Sequence, residues 1–164
     1  MDGRHYLALA QQLIAGVKSR APLTTGDGAV ECRDAISRAY YAVFHVASAF
    51  LDRVGFAVEN TPAARSAVQR ALNNSSDAVL KEAANHLDAL HRERRKADYE
   101  LKNIWPEQPA NADAVVDRAA TAISRLDEVR DTAAAGRLGA IAVAVAAWLK
   151  GAQTAGLRQK AGAS

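Results

Sequence analysis

The sequence predicts an all-α fold: an up-and-down bundle of four to five antiparallel helices with an additional C-terminal helical segment. Three observations lead to this prediction. Of the 164 residues, 49% are hydrophobic but only 5% are aromatic, and such an alanine-, valine- and leucine-rich composition suits closely packed helices. Apolar positions recur at helical spacing in one segment after another. Glycine and proline are concentrated between those segments, where helices end.

The first two helices have recognisable boundaries in the sequence. Asp2 is placed to cap a first helix that runs to about Arg20. The segment APLTTGDG interrupts the pattern, and Thr25 or Asp27 then caps a long second helix. Gly55 is expected to end that helix, because a left-handed residue stops helical hydrogen bonding. The predicted buried face of the first helix consists of Leu7, Leu9, Leu13, Ile14 and Val17.

Capping residues and prolines divide the middle of the chain into two further helices. Thr61 followed by Pro62 is typical of an N-cap and a first-turn proline, and the short third helix ends near Asn73. Ser76 is the predicted cap of a fourth helix that continues to about Ile104. Two prolines follow closely, so the fourth helix is not expected to extend further.

The C-terminal part of the chain is predicted to contain two more helical segments. Asn111 caps a fifth helix, and Gly136 and Gly139 weaken the path into a sixth segment that ends near Lys150. The buried face of the fifth helix consists of Val115, Val116, Ala119, Ile123, Leu126 and Val129.

The chain is expected to form one domain with a short extension. Residues 1–135 make the helical bundle, residues 136–150 a C-terminal helical extension, and residues 151–164 a flexible tail of small and polar residues. The longest apolar run, Leu138 to Leu149, has twelve residues, fewer than the roughly 20 that span a bilayer. No membrane association is therefore expected, and this run is a core or partner-facing helix.

Charge and cysteine usage narrow the functional classes. The net charge of +3 and the pI of about 9.2 permit a polyanionic partner without requiring one. Charged residues interrupt the N-terminal segment, which argues against a signal peptide and predicts a cytoplasmic protein. Cys32 is the single cysteine, so an intrachain disulfide and a cysteine-based zinc site are excluded and Cys32 is read as a small buried hydrophobe. The histidines show no metal-ligand spacing, so neither a metal nor a cofactor is expected.

The second helix carries an unusual polar stripe. Arg38 and His45 are seven residues apart, which is two helical turns, so both side chains leave the same face. A cation, a phenol, a hydroxyl and a group that titrates near neutral pH are suited to a phosphodiester. The stripe contains Asp34, Arg38, Tyr41, His45, Ser48 and Asp52. The opposite, core-facing side contains Cys32, Ile36, Ala39, Tyr40, Val43, Val46, Phe50 and Val54.

The fourth helix carries a second polar constellation in the segment LHRERRKADYEL. Its core face is centred on Leu87, Leu90, Ala97 and Leu101, which places Asp98 at the margin of that face. A half-buried carboxylate needs a partner, and the candidates are Arg95 and, from the second helix, Arg38. If the two helices pack antiparallel, Arg38 comes within pairing reach of Asp98 and the two stripes form one groove. The polar side contains His91, Arg92, Arg95, Asp98, Tyr99 and Lys102.

These two segments resemble a known family. SRAYYAVFH, followed some fifty residues later by RRKADYEL, is similar to the HEPN superfamily, in particular its bacterial branch with an SRAYYAxFH helix and an RxxADY helix. The resemblance covers roughly residues 3–130. It implies a helical bundle that commonly dimerises, and many members are metal-independent ribonucleases paired with a nucleotidyltransferase-like antitoxin.

The resemblance also suggests roles for particular residues. The nuclease motif of the family is an Arg and a His separated by four to six residues; here no His follows Arg95 within that interval, and the matching pair is Arg38 and His45 on the second helix. In this hypothesis His45 takes the proton of the 2′-hydroxyl, and Arg38 and Arg95 neutralise charge at the scissile phosphate. The predicted substrate-binding residues are Tyr41, Ser48, Arg92, Asp98, Tyr99 and Lys102.

Two alternatives to an endoribonuclease remain open. The first is a binding module that holds RNA or a nucleotide in the same cationic groove without cleaving it. The second is an interaction protein whose polar stripes form a homodimer or antitoxin interface. Ala35, Ala42 and Ala49 border the stripe of the second helix and would let another helix approach closely. A separate interpretation of Arg95 and Asp98 is an ion pair that sets helix register instead of a phosphate clamp.

Overall fold

The computed structural model describes residues 2–20, 26, 28–152 and 155–161, and it confirms the all-α class. Within these ranges the only sheet consists of two short antiparallel strands. The helices are α1 (Gly3–Ser19), α2 (Ala29–Arg53), α3 (Ala64–Asn73), α4 (Ala78–Tyr99), α5 (Pro109–Thr132) and α6 (Ala135–Ala152). The strands are β1 (Phe56–Val58) and β2 (Leu157–Gln159), and a 3₁₀ turn covers Trp105–Glu107.

The chain divides into two compact units. The first comprises Met1–Val43 and His86–Thr121, and the second comprises Phe44–Asn85 and Ala122–Ser164. Both units draw on α2, α4 and α5, so the long helices are shared rather than assigned to one unit.

In the first unit, α1 and α2 lie antiparallel. Arg20, the C-cap of α1, donates to Glu31 at the start of α2 across 2.8 Å. At the other end, the ring of Tyr6 lies 6.3 Å from that of Tyr41. Residue numbers therefore fall along α1 as they rise along α2, so the two helices are antiparallel.

The predicted antiparallel packing of α2 and α4 is confirmed by contacts within the first unit. Arg33 of α2 donates to the carbonyl of Ala97, near the end of α4, across 2.8 Å. Further along α2, the ring of Tyr40 lies 5.5 Å from that of His91, earlier in α4. Residue numbers therefore rise along one helix as they fall along the other.

The predicted core face of α2 is almost entirely buried, and it extends further than expected. Its predicted members from Cys32 to Phe50 are all buried, whereas Val54 is half-buried. Ala35 and Ala42 are also fully buried in the chain itself, and only Ala49 of the predicted small-residue border is exposed. The border thus serves internal packing, so it does not provide the predicted dimer surface.

Helix boundaries agree at some ends and differ at others. Asp2 caps α1 as predicted, accepting from the Arg4 amide across 3.0 Å. The cap of α4 is Asp77, whose Oδ1 accepts from the amides of Val79 and Leu80, whereas the predicted cap Ser76 has a φ of 59°. The predicted caps Thr25 and Asp27 lie outside the described residues.

Three further expectations about the helices are corrected. α3 begins at Ala64 rather than beside Pro62, because the preceding residues form a turn in which the Thr61 carbonyl accepts from the Ala64 amide. α5 begins at Pro109, before its predicted cap Asn111. Leu9 of α1 is 44% exposed and so does not belong to the core.

The predicted flexible tail contains an ordered strand in the second unit. Leu157–Gln159 pair antiparallel with Phe56–Val58, in the register Phe56 opposite Gln159. Gly156, with a φ of +95°, has its Cα close against α3, where an added Cβ would lie 2.5 Å from the Ala64 nitrogen. A glycine and the buried Leu157 hold this end of the chain in place.

α6 is longer and more exposed than the apolar run that suggested it. The helix has 18 residues, about 27 Å at 1.5 Å per residue, and only Ile141 and Val145 are buried while Val143 is 71% exposed. By length and composition alone it qualifies as a segment able to cross a membrane, with 11% of it buried. The length of the apolar run, Leu138 to Leu149, is therefore not an argument against membrane association.

Candidate functional site

The two motif segments meet in the first unit around the buried guanidinium of Arg94. Its Nε donates to Asp98 Oδ2 across 2.7 Å, and Nη2 lies 3.5 Å from the Tyr99 hydroxyl. The guanidinium carbon is 5.6 Å from the ring centre of Tyr40, 5.1 Å from that of Tyr41 and 5.8 Å from that of Tyr99. We call these five residues the Arg94 cluster. Cation–π contacts of this kind stabilise a desolvated cation.

The cluster stabilises a charge inside the first unit. The Arg94 side chain is only 7% exposed, and burial by itself lowers the pKa of a cation. Electrostatic interaction with Tyr41 and Asp98 outweighs that effect, so the pKa of Arg94 is raised and the guanidinium stays charged. Because the guanidinium is enclosed by its partners, its position suits packing of α2 against α4 better than contact with a ligand.

The partner of Asp98 was predicted wrongly. The carboxylate pairs with Arg94, one helical turn earlier at the i−4 position, and not with Arg95 or Arg38. Arg38 instead donates through Nε to Asp34, its i−4 neighbour, across 2.9 Å. Both pairs follow the helical rule that residues four apart lie side by side. Asp98 is consequently occupied by an internal partner rather than presented to a substrate.

A cationic and aromatic surface lies on the outer side of α4 and just beyond its end. Arg92, Arg95 and Tyr99 follow one another at helical spacing, and Lys102 lies in the turn after the helix. We call these four residues the α4 surface. Tyr99 is 68% exposed. Arg92 pairs with Asp88, whereas Arg95 and Lys102 are exposed and have no ion-pair partner in the described part of the chain.

The end of α4 is shaped by an arginine that sequence reasoning missed. Arg33, whose side chain is 13% exposed, donates through Nη2 to the carbonyl of Asn103 across 2.6 Å and also pairs with Glu107 across 2.8 Å. Its other acceptors are the carbonyls of Lys96, Ala97, Glu100 and Leu101. These are the acceptors that a helix end leaves unsatisfied. With Arg33 in that place α4 stops at Tyr99 rather than Ile104, and Leu101 is 75% exposed instead of buried.

The remaining candidates lie along α2. Tyr41 is half-buried within the Arg94 cluster, so it is engaged internally. Ser48 donates its hydroxyl to the carbonyl of Phe44 across 2.7 Å. His45 belongs to the second unit, with its ring 5.4 Å from that of Phe44. Burial lowers the pKa of His45 below its ordinary value of 6.5, which favours the neutral imidazole.

Two observations bear on metal and thiol chemistry. In the ranges that the structure describes, no three side chains among histidine, cysteine, aspartate and glutamate come together as metal ligands. Cys32 is fully buried, and this burial raises the pKa of its thiol. A buried thiol with a raised pKa is a packing group rather than a nucleophile.

The chain was compared with models of protein families, with curated proteins and with solved structures, and none of the three comparisons found a match. The resemblance to the HEPN superfamily therefore rests on the two motif segments, on their order along the chain, and on the helices that carry them.

Proposed function

We propose that this protein is an RNA-associated domain of the HEPN type that binds single-stranded RNA through the α4 surface. One observation carries the proposal: a strongly exposed tyrosine, Tyr99, stands beside the exposed and unpaired cations Arg95 and Lys102. An aromatic ring among cations is the arrangement by which proteins hold single-stranded nucleic acid.

The different environments of the two neighbouring arginines in the RRKADYEL segment support this function. Arg94 lies inside, where it joins α2 to α4 and lies against the Tyr99 ring, while Arg95 points outward. A base that stacks on the exposed face of Tyr99 would place its phosphates within reach of the flexible side chains of Arg95 and Lys102. Stacking contributes about 1–3 kcal/mol per base and tolerates any base, so we expect affinity without strict sequence preference.

Binding of labelled single-stranded RNA, followed by fluorescence anisotropy, tests the proposal. We expect Tyr99→Ala to weaken binding about tenfold through lost stacking. Arg95→Ala should weaken binding less and reduce the dependence of affinity on salt, because one phosphate contact is lost. Arg70→Ala is the matched control, since Arg70 is an exposed helical cation of α3 without an ion pair in the described residues. Equal losses for all three variants, or no binding by the wild type, would contradict the proposal.

A second candidate function is metal-independent cleavage of RNA with His45 as the general base, and the spacing of Arg38 and His45 on α2 favours it. A general base must be unprotonated to accept the 2′-hydroxyl proton, and burial of His45 favours its neutral form. Cleavage of this kind would persist in EDTA and leave 2′,3′-cyclic phosphate ends. His45→Ala should abolish cleavage and preserve RNA affinity, whereas equal residual cleavage by wild type and variant would identify a contaminant and refute the activity.

The resemblance extends the proposal to partners. Dimerisation and pairing with a nucleotidyltransferase-like antitoxin are properties of many proteins that carry these motifs, and we include both as expectations. Sedimentation equilibrium at tens of micromolar, about where micromolar interfaces saturate, tests the first. Co-expression with the product of an adjacent nucleotidyltransferase-like gene, followed by co-purification, tests the second.

A further inference from the structure

The second unit contains an apolar groove that the proposed function does not use. The groove lies between α6 and the segment that joins α2 to β1, and its volume is about 500 Å³. This volume falls within the range of about 300–1,000 Å³ that small-molecule sites occupy. The apolar walls consist of Val54, Phe56, Leu138, Ala142, Val143 and Ala146.

Helix α6, which forms one wall of the groove, presents an apolar face with mostly small side chains. Gly139, Ala142, Val143 and Ala146 follow the helical spacing of one face, and all four line the groove. A Cβ added at Gly139 would meet nothing within 4 Å, so space beside this residue is open. Val143 is 71% exposed. Such a surface gains free energy when an apolar chain covers it.

A single cation gives the groove a polar end. Arg53, the last residue of α2, lines the groove, is exposed, and has no ion pair within the described residues. Gln159 of β2 adds a second polar side chain to the lining. The neighbouring cation of β2, Arg158, points to the other side of the strand, because side chains alternate along a strand. Arg53 is the one charged residue among the described residues that line the groove, so the ligand this lining complements is an anion.

The groove is too small to serve as the main contact of a stable dimer. α6 is 18 residues long, and a helix of that length and about 10 Å in width offers about 270 Å² on one face. A stable protein interface needs about 800 Å² from each partner. A second copy that docks on this face alone would fall well short of that area.

We infer that this groove is a binding site for an anionic single-chain amphiphile of the fatty-acid class. The alkyl chain lies along Gly139, Ala142 and Ala146 of α6, and the carboxylate pairs with Arg53. This site is independent of RNA binding, because every residue that forms it lies in the second unit and none belongs to the α4 surface.

Calorimetric titration of the full chain with decanoate, kept below its micelle-forming concentration, tests the inference. We expect saturable binding with one site. Octanoate, which is two methylenes shorter, should bind about tenfold more weakly. Decyltrimethylammonium, which has the same chain and the opposite charge, should also bind more weakly. Equal affinity for the two decyl compounds would overturn the assignment of the carboxylate to Arg53.

Two matched glycine substitutions locate the site. Gly139→Leu places a side chain in the open space of the groove and should reduce decanoate affinity at least tenfold. Gly136→Leu is the control, because it also adds a side chain to α6 in open space but lies outside the groove lining; it should leave affinity unchanged within twofold. Both exchanges replace a helical glycine, which favours folding of the helix. Equal affinities of the two variants would overturn the inference.

A charge variant and a size measurement complete the test. Arg53→Gln should weaken decanoate binding about fivefold, the contribution of an exposed ion pair. Light scattering with and without decanoate should show the same molecular mass. A dimer that decanoate dissociates would mean that the groove belongs to a second copy, and this result or the absence of saturable binding would overturn the inference.

Discussion

Arg94 and Arg95 are neighbours in the sequence and have opposite environments in the first unit. The Arg94 side chain is 7% exposed and is enclosed by an aspartate and tyrosine rings. Arg95 is exposed and has no ion pair in the described ranges. One helical step of about 100° separates a structural cation from a candidate ligand-binding cation. Whether an arginine here is structural or available to a ligand therefore depends on where its side chain finds a partner, because the residue type is the same.

The comparison extends to the other ion pairs. A buried charge costs several kcal/mol unless it is paired and hydrogen-bonded, whereas exposed pairs contribute about 0–1 kcal/mol. Arg94–Asp98 and Arg33–Glu107 are the least exposed pairs of the first unit, and Arg38–Asp34 is much more exposed. Substitutions of these cations should therefore differ in their effect on stability according to burial.

The largest effect is expected for Arg94. Arg94→Ala leaves Asp98 without its partner between α2 and α4, and we expect a loss of about 3 kcal/mol in the free energy of unfolding. Arg95→Ala, the matched exposed neighbour, should change this free energy by less than about 0.5 kcal/mol. Urea denaturation of both variants measures the difference. Equal losses would show that the guanidinium of Arg94 is not the buried link between the two helices.

A smaller effect is expected for Arg33. Arg33→Ala removes the donor to several carbonyls at the end of α4 and one partner of Glu107, and we expect a loss of about 2 kcal/mol. Arg33→Lys keeps the charge but not the planar set of donors, so it should recover only part of that stability. Arg38→Ala, which breaks an exposed pair, should cost about 0.5 kcal/mol. Full recovery by Arg33→Lys would contradict the proposed role of the guanidinium geometry.

The fold was largely predictable because it depends on periodicity and local caps. The apolar spacing of α5 is buried at all its predicted positions, and Asp2 caps α1 as expected. The end of α4 was not predictable, since it depends on Arg33, more than 60 residues earlier in the chain. The strand at Leu157–Gln159 was missed for a similar reason, because its pairing partner is β1. Contacts between distant segments leave no local pattern.

The candidate site was predictable only in part. The cations of the α4 surface and Tyr99 were identified from their residue types and positions on the helix. Arg94 was missed, although its i, i+4 spacing to Asp98 was readable and the i, i+3 alternative Arg95 was chosen instead. Arg94 is also the residue that begins the RxxADY pattern in RRKADY. Which of two neighbouring arginines pairs with a carboxylate depends on how the helix packs against the rest of the protein. The sequence alone does not show that packing.

The pair between Arg137 and Asp77 in the second unit provides a case of intermediate burial, because the Asp77 side chain is 9% exposed and that of Arg137 is 36% exposed. The hydrogen bond from Arg137 lowers the pKa of Asp77 below its ordinary value of 3.8, and the amides of α4 add to this shift. Stability from this group is present above about pH 3.8 and is lost as the pH falls through the lowered pKa.

Substitution of Asp77 tests this intermediate case. Asp77→Ala should cost about 1 kcal/mol at pH 7, since the cap of α4 is lost. Asp77→Asn retains a capping oxygen but cannot ionise, so it should flatten the acid-induced loss of stability. Denaturation between pH 7 and pH 2 measures both effects, because the loss of stability lies below about pH 3.8. An unchanged acid dependence in Asp77→Asn would show that the carboxylate does not contribute in its charged form.

The smallest effect on stability is expected for His45. The direction in which stability changes with pH distinguishes a half-buried imidazole from an exposed one. Burial lowers the folded-state pKa below 6.5, so the unfolded chain takes up a proton first as the pH falls. The contribution of neutral His45 to stability is therefore complete above about pH 6.5 and is lost as the pH falls below it. His45→Gln should remove this pH dependence without lowering stability at pH 8. NMR titration of the imidazole gives the pKa directly, and its midpoint should lie below 6.5. The proposed cleavage of RNA should rise with pH through the same range. A midpoint above 6.5 would mean that the imidazole is stabilised in its protonated form, and would contradict the lowering of its pKa by burial.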